Sequence, residues 1–164
     1  MLRIGLLSDT HSYIHPKVYE FFDKCDEIWH AGDIGNMEVA DRFGKFKPLK
    51  VVFGNIDGQD IRITYPKELI FYAEKVKVMV THIGGYPGRY ERSVLPLILR
   101  EKPKLFITGH SHILKVMFDK KHQLLFINPG AAGKSGFHRS ITMVRFIIDG
   151  EVIKDLEILD IPRD

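Results

Sequence analysis

His110 and His112 flank Ser111 directly behind Gly109, and Asp9 and His11 flank Thr10 directly behind Ser8. Residues two apart in an extended segment point to the same side of the chain, so each pair can converge on one point. Three more metal-capable residues close apolar runs in the same manner: Asp33 after Gly32, Asn55 after Gly54 and His82 after Thr81. Two carboxylates, four imidazoles and one amide oxygen, with no thiolate, suit Mn²⁺, Fe, Co²⁺, Ni²⁺ or Zn²⁺ better than Mg²⁺ or Ca²⁺. Seven donors are too many for one such ion and fit two ions sharing a carboxylate. Two divalent cations against two carboxylates leave a positive centre, which favours an anionic substrate such as a phosphate ester. Metals about 3.5–4 Å apart could clamp a phosphoryl group and aim a bridging hydroxide in line with its leaving oxygen.

The elements that must position these residues begin with Leu2 to Leu7, an apolar run read as a buried strand. Pro16 can open a helix that places Val18, Phe21, Phe22 and Cys25 on one face. Glu27 to His30 reads as a second strand, and Asn36 as the N-cap of a helix through Gly44 that buries Met37, Ala40 and Phe43. Leu49 to Phe53 is a third strand. Strand and helix in alternation imply a parallel sheet. Further strands are expected at Ile61–Thr64, Glu68–Tyr72, Val76–Thr81 and Leu105–Thr108, with a helix over 89–102 whose start Pro96 complicates. The remainder reads as strands at Leu114–Phe118, Gln123–Ile127, Ser140–Ile148 and Val152–Leu159. Sites in open α/β sheets form beyond the carboxyl ends of the strands, so ligands closing five strands are expected to meet at one sheet edge. Glycines 32, 54 and 109 are expected to let the backbone turn there.

Each residue alone has an ordinary explanation: an Asp or Asn after a strand is usually a turn residue, and a single His is as often a satisfied core residue as a ligand. Seven such residues at five equivalent places are not explained by turns.

At 164 residues, one domain spanning 1–164 is expected. A 45% hydrophobic, 27% charged composition is that of a globular chain rather than a disordered one. The net charge of +3 is scattered, without the basic stripe of a nucleic-acid binder. Cys25 is the single cysteine, which excludes an internal disulfide. No apolar run reaches membrane-spanning length, and the N-terminus is charged too soon for a signal peptide. A cytoplasmic enzyme or binding protein is the expectation.

Asp9-Thr10-His11, Gly32-Asp33, Gly54-Asn55, His82 and Gly109-His110-Ser111-His112 resemble the calcineurin-like metallophosphoesterases, in order and spacing most like the small bacterial and archaeal phosphodiesterases of that superfamily. Asn128-Pro129-Gly130-Ala131 resembles a turn of the same small members. The resemblance implies a four-layer α/β/β/α sandwich of two mixed β-sheets. It assigns Asp9, His11, Asp33 and His112 to one metal and Asp33, Asn55, His82 and His110 to the other, with Asp33 as the bridge. Mn²⁺ is preferred as the ion over Fe, Ni²⁺ or Zn²⁺. A homodimer is compatible with the family, though no residue demands one.

Ile56 stands where many larger relatives carry a His that contacts the phosphate and protonates the leaving group, and Ile can do neither. His138 and Arg139 could reach a bound phosphate or belong to a solvated loop. His30 and Asp57 could orient a ligand or be structural, and His15 and His122 read as surface residues. Gly133-Lys134-Ser135 resembles the end of a phosphate-binding P-loop, but that motif requires glycine where Asn128 stands. The reading is a phosphodiesterase acting on a small phosphate ester. The rivals are a phosphomonoesterase on a small metabolite and an interaction scaffold, a role taken in this superfamily by a retromer subunit whose metal site is degraded.

Overall fold

Runs of apolar residues without alternation need cover on both faces of a sheet, and two sheets stacked back to back with helices outside supply it. A computed structural model describes residues 1–163. The chain runs β1 (Leu2–Leu7), α1 (Lys17–Phe21), β2 (Glu27–His30), α2 (Met37–Phe46), β3 (Leu49–Val51), α3 (Gln59–Thr64), β4 (Glu68–Ala73) and β5 (Val76–Thr81). It continues through β6 (Gly85–Tyr86), β7 (Arg89–Tyr90), α4 (Leu95–Glu101), β8 (Leu105–Ile107), β9 (Leu114–Asp119), β10 (Leu124–Pro129), β11 (Ser140–Asp149) and β12 (Val152–Pro162). One sheet has the order β12-β11-β1-β2-β3 and the other β4-β5-β8-β10-β9, with β6 and β7 a separate hairpin. Both sheets are mixed: β1, β2 and β3 run parallel, as do β5, β8 and β10, while β11, β12, β4 and β9 join antiparallel.

The central core lies between the sheets, where Ile4, Leu6 and Trp29 of the first meet Val78, Val80, Leu105 and Ile107 of the second. Trp29 packs edge-to-face on Phe71 (5.1 Å between ring centres) and on Phe146 (5.9 Å), tying β2 to strands of both sheets. The outer face of the first sheet presents Leu7, Ile28 and Val51 to α1 and α2, which contribute Val18, Val39, Ala40 and Phe43. The outer face of the second presents Met79, Phe106 and Phe126 to Val94 and Ile98 of the α4 region. These are the four layers. No helix among the described residues is long and apolar enough to cross a membrane.

α2 begins where its cap predicts: the Asn36 side chain accepts a hydrogen bond from the Val39 N–H at 3.0 Å. Two elements differ from the sequence reading. The expected strand Ile61–Thr64 is the helix α3, with Ile61 buried and Ile63 exposed; β-branched residues two apart imitate a strand when the window is that short. The expected helix over 89–102 is helical only at Leu95–Glu101, because Arg89 and Tyr90 pair with Gly85 and Tyr86 and because Pro96 is accepted only in a first turn. His122 is not a surface residue: its Nδ1 lies 2.8 Å from Asp119 Oδ2, which also accepts from the Tyr90 hydroxyl at 2.7 Å.

Gly5 in β1 faces the ring of Phe22, and a Cβ there would lie 2.7 Å from two ring carbons. Phe22 is fully buried and has no free volume to retreat into. Gly5→Ala is therefore expected to destabilise the fold by about 1–3 kcal/mol. Urea unfolding should show a lower midpoint at unchanged slope.

Candidate metal centre

Parallel strands deliver their carboxyl ends to one edge, and the loops leaving β1, β2, β3, β5 and β8 carry all seven predicted ligands. Asp9 and His11 follow β1, Asp33 follows β2 and Asn55 follows β3; His82 follows β5, and His110 with His112 follow β8. Three loops thus come from one sheet and two from the other, so the site straddles the sandwich instead of lying along a single sheet edge.

The side chains gather into two groups. Asp9, His11 and His112 form one and Asp33, His82 and His110 the other, the donor atoms of each lying within 4.8 Å of one another. Asn55 joins the second group, with its Oδ1 3.0 Å from His110 Nδ1. Asp33 Oδ2 is 3.1 Å from His82 Nε2 and 3.5 Å from His11 Nε2, so one carboxylate oxygen borders both groups. Asp9 Oδ1 is 3.1 Å from His112 Nε2 and 3.7 Å from His11 Nε2.

Asp9 and Asp33 are only 0% and 2% exposed. Burial alone would raise the pKa of Asp9, but the imidazoles of His11 and His112 beside it outweigh that and hold it well below the usual carboxylate range. Burial works against a charge on His82, yet the carboxylates of Asp33 and Asp9 raise its pKa, and Asp9 does the same for His11. Even so, Asp9 Oδ1, His11 Nε2 and His82 Nε2 are buried without a hydrogen-bond partner among the described residues. Carboxylate oxygens and imidazole nitrogens aimed at common points without partners are what divalent cations would satisfy.

The tautomers needed for ligation follow from the other ring nitrogens. His82 Nδ1 lies 2.7 Å from the Ala31 carbonyl, which can only accept, so Nδ1 holds the proton and Nε2 keeps its lone pair. His138 Nε2 donates to the Gly133 carbonyl at 2.7 Å, and burial lowers the pKa of this ring and keeps it neutral. Its Nδ1 then accepts, at 3.1 Å, the proton of His112 Nδ1, freeing His112 Nε2 toward Asp9. His138 is therefore half-buried and set against a ligand. Arg139 is exposed, with no side-chain hydrogen bond to the site among the described residues. Ile56 contributes its backbone N–H to Asp33 Oδ1 at 3.0 Å, and its side chain is exposed.

Supporting residues carried little signal in the sequence. The Asp57 carboxylate accepts backbone N–H groups from Asp33 (3.0 Å), Ile34 (3.3 Å), Gly35 (2.9 Å) and Gly54 (2.8 Å), clamping the Asp33 loop to the Asn55 loop. Asn128 donates to the Gly109 carbonyl at 2.9 Å and the Ser111 hydroxyl at 3.0 Å, fixing the His110–His112 loop. His30 is fully enclosed: Nε2 meets the Thr10 hydroxyl at 2.9 Å, and Nδ1 accepts from the Gly32 N–H at 3.1 Å. The glycine expectation changes. Gly32 is left-handed (φ 102°), but Gly54 is not; it is required because a Cβ would overlap the Asp33 carboxylate. The left-handed backbone falls mainly on the ligands, at Asp9 (φ 54°), His11 (45°), Asp33 (58°), His110 (69°) and His112 (62°).

A family model for the calcineurin-like phosphoesterase superfamily domain matches residues 2–151. The chain belongs to that superfamily. It is 29% identical over 163 residues to a probable metallophosphoesterase of Methanothermobacter thermautotrophicus, covering 96% of this chain and 92% of the relative. A probable metallophosphoesterase of Methanocaldococcus jannaschii is 31% identical over 136 residues, covering 79% and 68%. Among solved structures, Vps29 of Chaetomium thermophilum superposes with a TM-score of 0.75 at 14% identity, over 99% of this chain and 98% of that one. Vps29 of Entamoeba histolytica complexed with Zn²⁺ gives 0.72 at 18% identity, over 97% and 99%. These two likenesses show the fold.

Burial pushes His30 down to about 4. The unfolded chain, with an ordinary imidazole near 6.5, binds the extra proton between these values. Stability from this residue is therefore complete above pH 6.5 and lost as pH falls toward 4, an effect of order 3 kcal/mol. Urea unfolding across that range should show His30→Gln losing less stability on acidification than the wild type by this amount.

Proposed function

We propose that the chain is a metal-dependent phosphohydrolase acting on phosphodiesters. The observation that carries this reading is the shared position of Asp33 Oδ2, 3.1 Å from His82 Nε2 and 3.5 Å from His11 Nε2, with unpartnered buried donors on either side. Asp9, His11, Asp33 and His112 would hold one divalent cation and Asp33, Asn55, His82 and His110 the other. When bound, such a pair would supply Lewis acidity toward a phosphoryl oxygen and acidify a water for attack on phosphorus. The donor set, free of thiolate, favours Mn²⁺, with Fe, Ni²⁺ or Zn²⁺ as alternatives.

The chain's own residues set the rest. The Ala31 carbonyl and His138 hold the Nδ1 protons of His82 and His112 on the scaffold side, so Nε2 is the nitrogen each ring presents inward. Two carboxylates are too few to neutralise two divalent cations, and the surplus positive charge selects an anionic ester. Ile56 places an exposed aliphatic side chain where a proton donor would stand, so the leaving oxygen departs without help from that position. Scattered charge favours a small ester over nucleic acid, and a chain with one cysteine and hence no internal disulfide suits a reducing cytoplasm.

Purified without chelator, the protein is expected to carry two ions per chain and, with Mn²⁺, to hydrolyse bis(p-nitrophenyl) phosphate faster than p-nitrophenyl phosphate. Asn55→Ala and His82→Ala each remove a ligand outright and should lower metal affinity by more than the about 10–100-fold typical of losing a supporting partner, read by competition with a chelating dye, and lower diester turnover at least as far. Absence of both metal and turnover across Mn²⁺, Fe²⁺, Ni²⁺ and Zn²⁺ would overturn the reading.

Rates should also depend steeply on leaving-group acidity. General-acid assistance is typically worth about 10²–10⁴-fold, so alkyl diesters should fall behind aryl diesters by at least that factor. A rate independent of leaving-group pKa would show that another residue protonates the departing oxygen.

A further inference from the structure

We propose that the cleft beside His110 receives the non-leaving arm of the substrate, and that this arm ends in a planar aromatic ring of about nucleobase size. The inference rests on the phosphodiesterase reading and adds the substrate class to it.

The cleft has a volume of about 400 Å³ and shares His110 with the metal centre. That size is within the range of small-molecule sites and well beyond what a methyl or ethyl arm fills. Its walls include Ile83, Tyr86 and Ile113, which are 38%, 43% and 63% exposed, over a floor containing the ring of Phe126. Ile83 directly follows the ligand His82, and Ile113 directly follows the ligand His112. Three exposed apolar side chains lining one cleft beside a polar centre are suited to hold the apolar part of a ligand.

Tyr86 lies on the β6–β7 hairpin, and Lys115 of β9 places its ammonium 4.8 Å from the ring centre. The ring is thereby anchored across the cleft by a cation–π contact. An anchored aromatic side chain in a largely apolar slot, with Lys115 and Glu91 as polar groups around it, is suited to stack a flat ring and bond its edge. A second cleft, of about 280 Å³, touches Asn55 and His82 and carries Phe53, Arg62 and Lys67, with the Arg62 guanidinium 4.7 Å from the Phe53 ring centre. Ile83 lines both clefts, and of the two the first has the greater volume and borders His110.

The test compares two diesters with the same p-nitrophenolate leaving group, p-nitrophenyl thymidine 5′-phosphate and methyl p-nitrophenyl phosphate, on the Mn²⁺-loaded protein. The wild type should prefer the thymidyl ester by about tenfold or more in kcat/KM, chiefly through KM. Tyr86→Ala should bring that ratio close to one and Tyr86→Phe should keep it, circular dichroism confirming that both variants fold. A wild-type ratio near one, or a ratio that Tyr86→Ala does not move, overturns the proposal.

Equilibrium dialysis of thymidine 5′-phosphate against methyl phosphate reads the cleft without turnover. Tighter nucleotide binding by about tenfold, lost in Tyr86→Ala, supports it, and equal affinity overturns it. If neither diester is hydrolysed, the phosphodiesterase reading falls, and the dialysis alone decides whether the cleft binds an aromatic ring.

Discussion

Two carboxylates withdrawn from water and facing imidazole nitrogens are the constraint on which the rest of this molecule turns. Asp9 and Asp33 are buried, and between them they border His11, His82 and His112 at 3.1–3.8 Å. A buried polar atom without a partner is expensive, so such a cluster persists only where the surrounding chain holds it in place. Five strands from two sheets do this from behind, and Asp57 does it from the side by taking the backbone N–H groups of two ligand loops onto one carboxylate. The stacked sheets form the platform, and the loops on it are held by hydrogen bonds to one another.

The control of proton position is equally distributed. His82 owes its ligating tautomer to a backbone carbonyl 51 residues away in sequence, and His112 owes its own to a relay through His138 that ends on the Gly133 carbonyl. Neither support could be replaced by a more basic or more acidic ligand, because what matters is which nitrogen carries the hydrogen. His30 has both ring nitrogens committed to the scaffold, at the Thr10 hydroxyl and the Gly32 N–H.

Much of this was legible in the sequence because strand ends are local events. β1, β2 and β5 are apolar runs with abrupt polar stops, and the residue after each stop is a donor. Ile61–Thr64 misled because two isoleucines two apart match the strand template over so short a window; Ile61 buried and Ile63 exposed are the opposite faces of a helix. Arg89–Tyr90 misled because hairpin pairing with Gly85–Tyr86 is a contact that no periodicity announces. His138 and Asp57 carried weak signals because their roles are fixed by partners more than 20 residues distant. The glycines misdirected attention: Gly54 is small to admit a carboxylate, while the unusual backbone lies on the aspartates and histidines themselves.

That last feature bears on how such a protein can change over time. Left-handed backbone at a residue with a side chain costs roughly 1–2 kcal/mol, and five of the seven donors bear it. Exchanging His11 or His112 for glycine would delete a donor and at the same moment relax the chain. Selection for abundance or heat resistance alone would therefore drift toward a sturdier molecule with a silent centre. Five histidines and aspartates in so unfavourable a backbone are a cost to the fold that their donor atoms, not its stability, account for.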